Sequence, residues 1–193
     1  MLYQTAKIIC RTVLALIRRW EVHGAEKMPL GGGAIVIANH ISYWDPVVVG
    51  CALKRRIYFM AKAELFNIPG LGPIITRLGA FPVRRDGPDP SSLRRSIKLL
   101  KSNRVIGIFP EGTRSQSGEI LAPHLGAAML ALKVGAPIVP VTVSGTRGIF
   151  RKVYVSIGEP LEFNHLSSKK PSKEELETVS RQVMTEVAKM QRK

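Results

Sequence analysis

Residues 34–46 read Ala-Ile-Val-Ile-Ala-Asn-His-Ile-Ser-Tyr-Trp-Asp-Pro, and the fold is decided here. The apolar run 34–38 reads as a buried strand, and it ends on a polar octapeptide, 39–46. His40 therefore sits where a strand ends, with Asp45 five positions later. A neutral imidazole accepts a proton from a hydroxyl, while a carboxylate on its other nitrogen fixes the tautomer and steadies the imidazolium. No protein nucleophile accompanies the pair. There is no G-x-S-x-G elbow, and Ser42 lies too near His40 in sequence to be an obvious triad serine, so the hydroxyl to be activated is the substrate's own. A second reading competes. Asp45-Pro46 is a good helix start, with Asp as N-cap and Pro at the first helical position, and His40 is then a structural side chain.

Working outward, strands and helices alternate. Residues 2–20 read as a helix, 46–53 as another, and 56–60 as a short strand; 62–79 is broken by Pro69, Gly70, Gly72 and Pro73 into short helical pieces. A short strand fits 80–83. A helix starting at Ser91 or Ser92 runs to about 102, with Leu93, Ile97 and Leu100 inward. Residues 105–109 read as a buried strand, 123–134 as a small-residue helix, 137–143 as a strand and 153–157 as a half-exposed one. The last helix opens on a capping box, Ser172 to Glu175, and carries Leu176, Val179, Val183, Val187 and Met190 as its apolar stripe. This order predicts a single α/β domain with a largely parallel or mixed central sheet flanked by helices. Residues 1–20 are expected as an amphipathic interface helix, and 21–193 as the catalytic domain.

In such sheets ligands gather outside the carboxyl ends of the strands. Arg84-Arg85 follow the strand at 80–83, and Pro110-Glu111-Gly112-Thr113-Arg114-Ser115 follow that at 105–109. If the strands are parallel, these segments share one rim with His40. Arginine is well shaped for bidentate phosphate binding, and Glu111 can order the arginines or accept from a substrate hydroxyl.

Composition narrows the partners. The 193 residues suit one domain, and 29 Lys+Arg against 14 Asp+Glu give a net charge of +15. Such a field attracts polyanions: nucleic acid, anionic headgroups, phosphorylated metabolites or an acidic carrier protein. Nucleic acid is disfavoured by aromatics at 6% and by basic residues spread along the chain. Cys10 and Cys51 lie in apolar context without C-x-x-C spacing, which suggests a reduced cytosolic compartment and no structural zinc; the scattered histidines suggest no metal site. No window reaches the ~18–20 apolar residues that span a bilayer, and no secretory signal is present. The chain is expected on the cytoplasmic side.

These residues resemble, in four ordered blocks, the glycerolipid acyltransferases typified by 1-acylglycerol-3-phosphate (lysophosphatidic acid) acyltransferase. N-H-x-S-x-x-D matches Asn39 to Asp45. A Lys-x-x-Leu start with a Gly-anchored segment ending in arginine matches Lys62 to Leu65 and Gly79 to Arg85, with the family's arginine on Arg85 and Arg84 at a variable position. F-P-E-G-T-R-S matches Phe109 to Ser115, and a Pro-rich apolar strand matches Ala136 to Val141. The resemblance implies acyl transfer from a thioester of coenzyme A or acyl carrier protein to lysophosphatidic acid, giving phosphatidic acid, with no bound cofactor. It implies His40 as general base oriented by Asp45, and Lys62, Arg85, Glu111, Gly112, Thr113 and Arg114 as substrate-binding residues. Two departures stand out. His124-Leu125-Gly126 lacks the family's usual basic residues before that glycine, and the N-terminal region offers one candidate membrane helix rather than two.

Alternatives within this reading are glycerol 3-phosphate or another lysolipid as acceptor, and a non-catalytic peripheral lipid binder. Because acceptor and product are lipids, residues 2–20 are expected to lie in the membrane interface. Leu2, Ile9, Val13, Leu16, Ile17 and Trp20 would supply apolar surface there, and Lys7, Arg11, Arg18 and Arg19 would reach anionic headgroups. The competing expectation is that this helix packs on the domain as core.

Overall fold

A computed structural model describes residues 2–166 and 171–191, with the backbone alone at His165. Thirteen named elements carry the chain: α1 (Leu2–Arg18), β1 (Glu21–His23), β2 (Ala34–Ala38), α2 (Asp45–Ala52), β3 (Ile57–Lys62), α3 (Leu71–Leu78), β4 (Phe81–Val83), α4 (Pro90–Lys101), β5 (Val105–Ile108), α5 (Gly126–Val134), β6 (Ile138–Ser144), β7 (Tyr154–Ile157) and α6 (Lys173–Lys189). They form an α/β domain around one seven-stranded sheet of order β1-β7-β6-β2-β5-β3-β4. Strands β6, β2, β5, β3 and β4 are mutually parallel; β7 runs antiparallel to β6, and β1 parallel to β7. The sheet is therefore mixed, with a parallel block of five.

Strand β2 lies inside that block and is buried along its whole length. Ala34, Val36 and Ala38 enter one apolar cluster with Val48 and Val49 of α2, Leu53 just after it, and Leu14 of α1. Ile35 and Ile37 enter the other with Leu100 of α4, Leu130 of α5 and Val183 of α6. Burial on both faces is the physical reason the run is uniformly apolar instead of alternating. Since β2, β5, β3, β4 and β6 are parallel, their carboxyl ends and following loops share one rim.

Three details differ from the sequence expectation. The strand β1 was not foreseen: three residues with a glutamate and a histidine at its ends carry no periodic signal, and only pairing with β7 makes it a strand. Helix α4 starts at Pro90, one or two residues before the expected Ser91 or Ser92, because Asp89 is its cap, accepting from the Ser91 and Ser92 amides.

The third difference concerns α1. Lys7 and Arg18 do not face outward: both are buried. The Lys7 ammonium donates to the Leu53 and Lys54 carbonyls at the C-terminal end of α2, and burial lowers its pKa. Arg18 donates to the carbonyls of Arg151 (3.0 Å) and Gly145 (2.6 Å). The expected apolar residues Leu2, Ile9 (58%), Val13, Leu16 (77%) and Ile17 are exposed, with Ile8 (64%), alongside Gln4, Arg11, Thr12 and Arg19. One face of the helix docks, with Leu14 in the core, as the packing expectation has it. Among the described residues no helix is long and apolar enough to cross a membrane.

Candidate active site

The loop between β2 and α2 builds the centre of the site. Asn39 anchors it: its side-chain amide donates to the Val143 carbonyl (3.0 Å) and accepts from the Val143 amide (2.8 Å), stitching the end of β2 to β6. His40 follows, and its Nδ1 lies 2.8 Å from Oδ2 of Asp45, which is fully buried. That same oxygen accepts the backbone amides of Ile41 (2.6 Å) and Ser42 (2.7 Å). The other carboxylate oxygen accepts the Thr146 hydroxyl at 2.6 Å.

Asp45 does not cap its own helix. Trp44 occupies the N-cap position without a side-chain bond, and the Asp45 carboxylate turns back over residues 40–42. Helix α2 does begin at Asp45-Pro46, as the second reading expects, but the Asp45 carboxylate is bonded to His40 and the 41–42 amides, and Trp44 is the cap. A carboxylate is acceptor-only, so His40 Nδ1 must carry the proton, and Nε2 is left as the acceptor.

The imidazole is held from below as well. It stacks on Phe109 at 4.2 Å, and Phe109 stacks on Phe59 at 5.8 Å. Gly107 on β5 makes room for this column, because a Cβ there would stand 2.4 Å from the Phe59 ring.

Glu111 occupies a position different from the one its charge suggested. It is buried, with Oε1 accepting the His40 amide (2.7 Å) and Oε2 the Leu121 amide (2.9 Å). Burial raises its pKa, outweighing the two amides that pull it down. Its carboxylate fixes the backbone that carries His40. Gly112 turns with φ +68°, and a Cβ there would meet Nε2 of His124 at 2.7 Å, so the histidine that replaces the expected basic residues packs on this turn. Thr113 is exposed. Arg114 lies over the Tyr43 ring at 3.5 Å and donates to the Tyr43 hydroxyl at 2.8 Å, which ties the Glu111–Arg114 segment to the His40 loop.

Lys62 and Arg85 stand further along the rim. Lys62 ends β3 opposite Val83 of β4, and Arg85 follows that strand. With neighbouring strands about 4.8 Å apart, β4 lies roughly 14 Å from β2 across the sheet. Glu64 sits among these cations: it pairs with Lys62 at 2.8 Å, which lowers its pKa, and Arg85 adds a smaller pull in the same direction.

The loop after β6 was missed by sequence reasoning, although the rule that ligands gather at carboxyl ends points to it. Thr146 reaches Asp45, and Arg147 donates to the carbonyls of Ile41 (3.1 Å), Gln116 (2.6 Å) and Ser115. The site is thus a His40–Asp45 pair locked by backbone amides, with cations along the rim. Among the described residues no group of three or more His, Cys, Asp or Glu is placed to hold a metal ion.

The acyltransferase family model matches residues 19–144, which contain the dyad and every rim segment except the β6 loop. The chain belongs to the acyltransferase family. It is an acyltransferase. A 1-acyl-sn-glycerol-3-phosphate acyltransferase of Bacillus subtilis is 32% identical over 201 residues, covering 100% of this chain and 98% of that one. One of the same name from Streptococcus pneumoniae is 33% identical over 191 residues, covering 92% and 70%. The crystal structure of PlsC, the 1-acyl-sn-glycerophosphate (LPA) acyltransferase of Thermotoga maritima, superposes with a TM-score of 0.70 at 29% identity, over 98% of this chain and 83% of that one.

Proposed function

We propose that the protein acylates the free hydroxyl of 1-acyl-sn-glycerol 3-phosphate from a thioester of coenzyme A or acyl carrier protein, making phosphatidic acid for phospholipid biosynthesis. His40 Nε2 takes the hydroxyl proton as the oxygen attacks the thioester carbonyl carbon. The tetrahedral intermediate collapses, the carbon–sulfur bond breaks, and the imidazolium returns its proton to the departing thiolate. A thioester is already activated, so the enzyme need only supply a base, hold the two reactants together and accommodate the developing charge. Arg85 and Arg114, with Lys62, bind the acceptor's phosphate from the rim.

The observation that carries this reading is the saturated Asp45 carboxylate. Four donors hold it, so His40 is fixed in the tautomer whose free nitrogen is a base. The names of the relatives support the acceptor. We place the protein peripherally on the cytoplasmic face of the membrane, supported by the exposed apolar face of α1 and by the net charge of +15. Arg11 and Arg19, both exposed, remain available to headgroups.

The test mixes the purified protein with acyl-CoA or acyl carrier protein and a panel of acceptors in mixed micelles, reading product mass and free thiol. Phosphatidic acid formed by the wild type and not by His40→Ala supports the reading. Hydrolysis without acyl transfer, or equal turnover by His40→Ala, sinks it.

A further inference from the structure

The segment between β6 and β7 leaves the fold as a short loop whose tip is Gly148-Ile149-Phe150. Phe150 is 84% exposed and Ile149 69%, adjacent in sequence and left open by the described residues. Side chains of this size are seldom left in water as a neighbouring pair without a reason. The base of the loop, by contrast, is heavily fixed. Arg18 at the end of α1 donates to Gly145 and Arg151, the two ends of the loop. On the other side the Thr146 hydroxyl reaches Asp45, its carbonyl accepts from the Ser42 hydroxyl at 3.2 Å, and Arg147 grips Ile41, Ser115 and Gln116. An apolar tip on a rigid frame is thereby joined at once to the last turn of α1, where Leu16 and Ile17 are exposed, and to the catalytic dyad.

We infer that the 148–151 tip is a second membrane contact, inserted beside α1, which sets the height of the His40–Asp45 dyad above the lipid surface. This rests on the proposal that acceptor and product are lipids. The chemistry around the tip favours an anionic bilayer. Arg147, Arg151 and Lys152 surround it, residues 138–158 contain no Asp or Glu, and the exposed Arg151 is adjacent to Phe150. Lys152 is already paired with Glu21 at 2.5 Å, so Arg151 is the cation offered to headgroups. A single insertion line along α1 leaves the tilt of the domain about that line free; a second insertion point fixes it, so the site mouth meets the layer that holds the acceptor.

Sedimentation with phosphatidylcholine vesicles, with and without phosphatidylglycerol, tests this without relying on activity. Ile149→Ser/Phe150→Ser is expected to lower partitioning by at least about tenfold, with an unchanged melting temperature, and Leu16→Ser/Ile17→Ser to lower it independently. Phe150→Trp is expected to show quenching by bromine-labelled acyl chains beyond that of the wild type, which contains Trp20 and Trp44. Wild-type partitioning by the loop variant, or no added quenching, overturns the inference while leaving the acyl-transfer reading intact. So does a lipid-independent dimer that the loop variant abolishes, because the tip then serves a second copy of the chain. Failure of the wild type to acylate any lysolipid defeats the function instead and leaves the sedimentation result standing.

Discussion

Replacing Asp45 by Asn gives a sharper result here than charge removal at an acid–base pair usually gives. Oδ2 accepts three donors, two of them the backbone amides of Ile41 and Ser42, which cannot reverse their polarity. The asparagine must therefore place its carbonyl oxygen at that position and its NH2 toward Thr146, whose hydroxyl can rotate to accept. His40 keeps its proton on Nδ1, and what is lost is the charge. Opposite charges about 4 Å apart interact by about 4 kcal/mol at an effective dielectric constant near 20, and a charge-assisted hydrogen bond is about twice as strong as a neutral one. A barrier increase of roughly 3–4 kcal/mol follows, or about 10²–10³ in kcat. Asp45→Ala additionally strips two amides of their acceptor, at about 1–3 kcal/mol each, and frees the ring to take either tautomer. Thiol release from acyl-CoA, followed with a chromogenic thiol reagent in the presence of lysophosphatidic acid, should place Asn at least about tenfold above Ala, with the higher melting temperature. If Asn is as inactive as Ala at an intact fold, the backbone amides do not dictate the tautomer, and the argument from saturation fails.

Other perturbations probe the rest of the frame. Gly107→Ala drives a methyl group into the Phe59 ring and, through Phe109, disturbs His40; a loss of about 1–3 kcal/mol in stability together with a fall in kcat is expected, and wild-type values of both would show the column to be loose. Arg85→Ala and Arg114→Ala should raise the acceptor KM roughly 10- to 150-fold with little change for the thioester, from about 1.5–3 kcal/mol per charge-assisted contact. Arg84→Ala should do less, since its engaged group is its backbone amide on Asp89; a silent Arg85 beside a critical Arg84 would shift the phosphate site by one residue. Asp89→Ala removes the cap of α4 and should cost about 0.5–2 kcal/mol at neutral pH. The Ser91 hydroxyl, with backbone amides, holds the Asp89 carboxyl below its ordinary value, so its contribution is present above the unfolded value of about 3.9 and is lost as pH falls toward the depressed folded value. Urea titrations should show the gap between wild type and variant narrowing in acid; a constant gap contradicts the cap.

What was legible from sequence is what short range determines. His40 and Asp45 are five residues apart at a strand end, and the apolar runs of β2, β5 and β6 announce themselves. Thr146 lies 101 positions from the carboxylate it holds, and Arg147 acts on carbonyls that every residue possesses, so neither leaves a local trace. The charge of Glu111 is legible in the sequence, but its burial and its two backbone amides, one of them that of His40, are set by tertiary packing and leave no local trace. Helix α1 shows the same limit most plainly. Its periodicity gives two faces but not which one docks. The docked face carries Lys7 and Arg18 because carbonyls at the end of α2 and at the base of the β6–β7 loop need donors, and only long cationic side chains reach them from a neighbouring helix. Once those cations are consumed inward, Ile8, Ile9, Leu16 and Ile17 must point out. In water that arrangement is unfavourable by the whole apolar area left exposed, whereas against hydrocarbon the same area becomes the driving force. The apolar side chains that α1 leaves outward are thus the surface on which the proposed peripheral membrane contact rests, independent of the charge of the chain and of the names of its relatives.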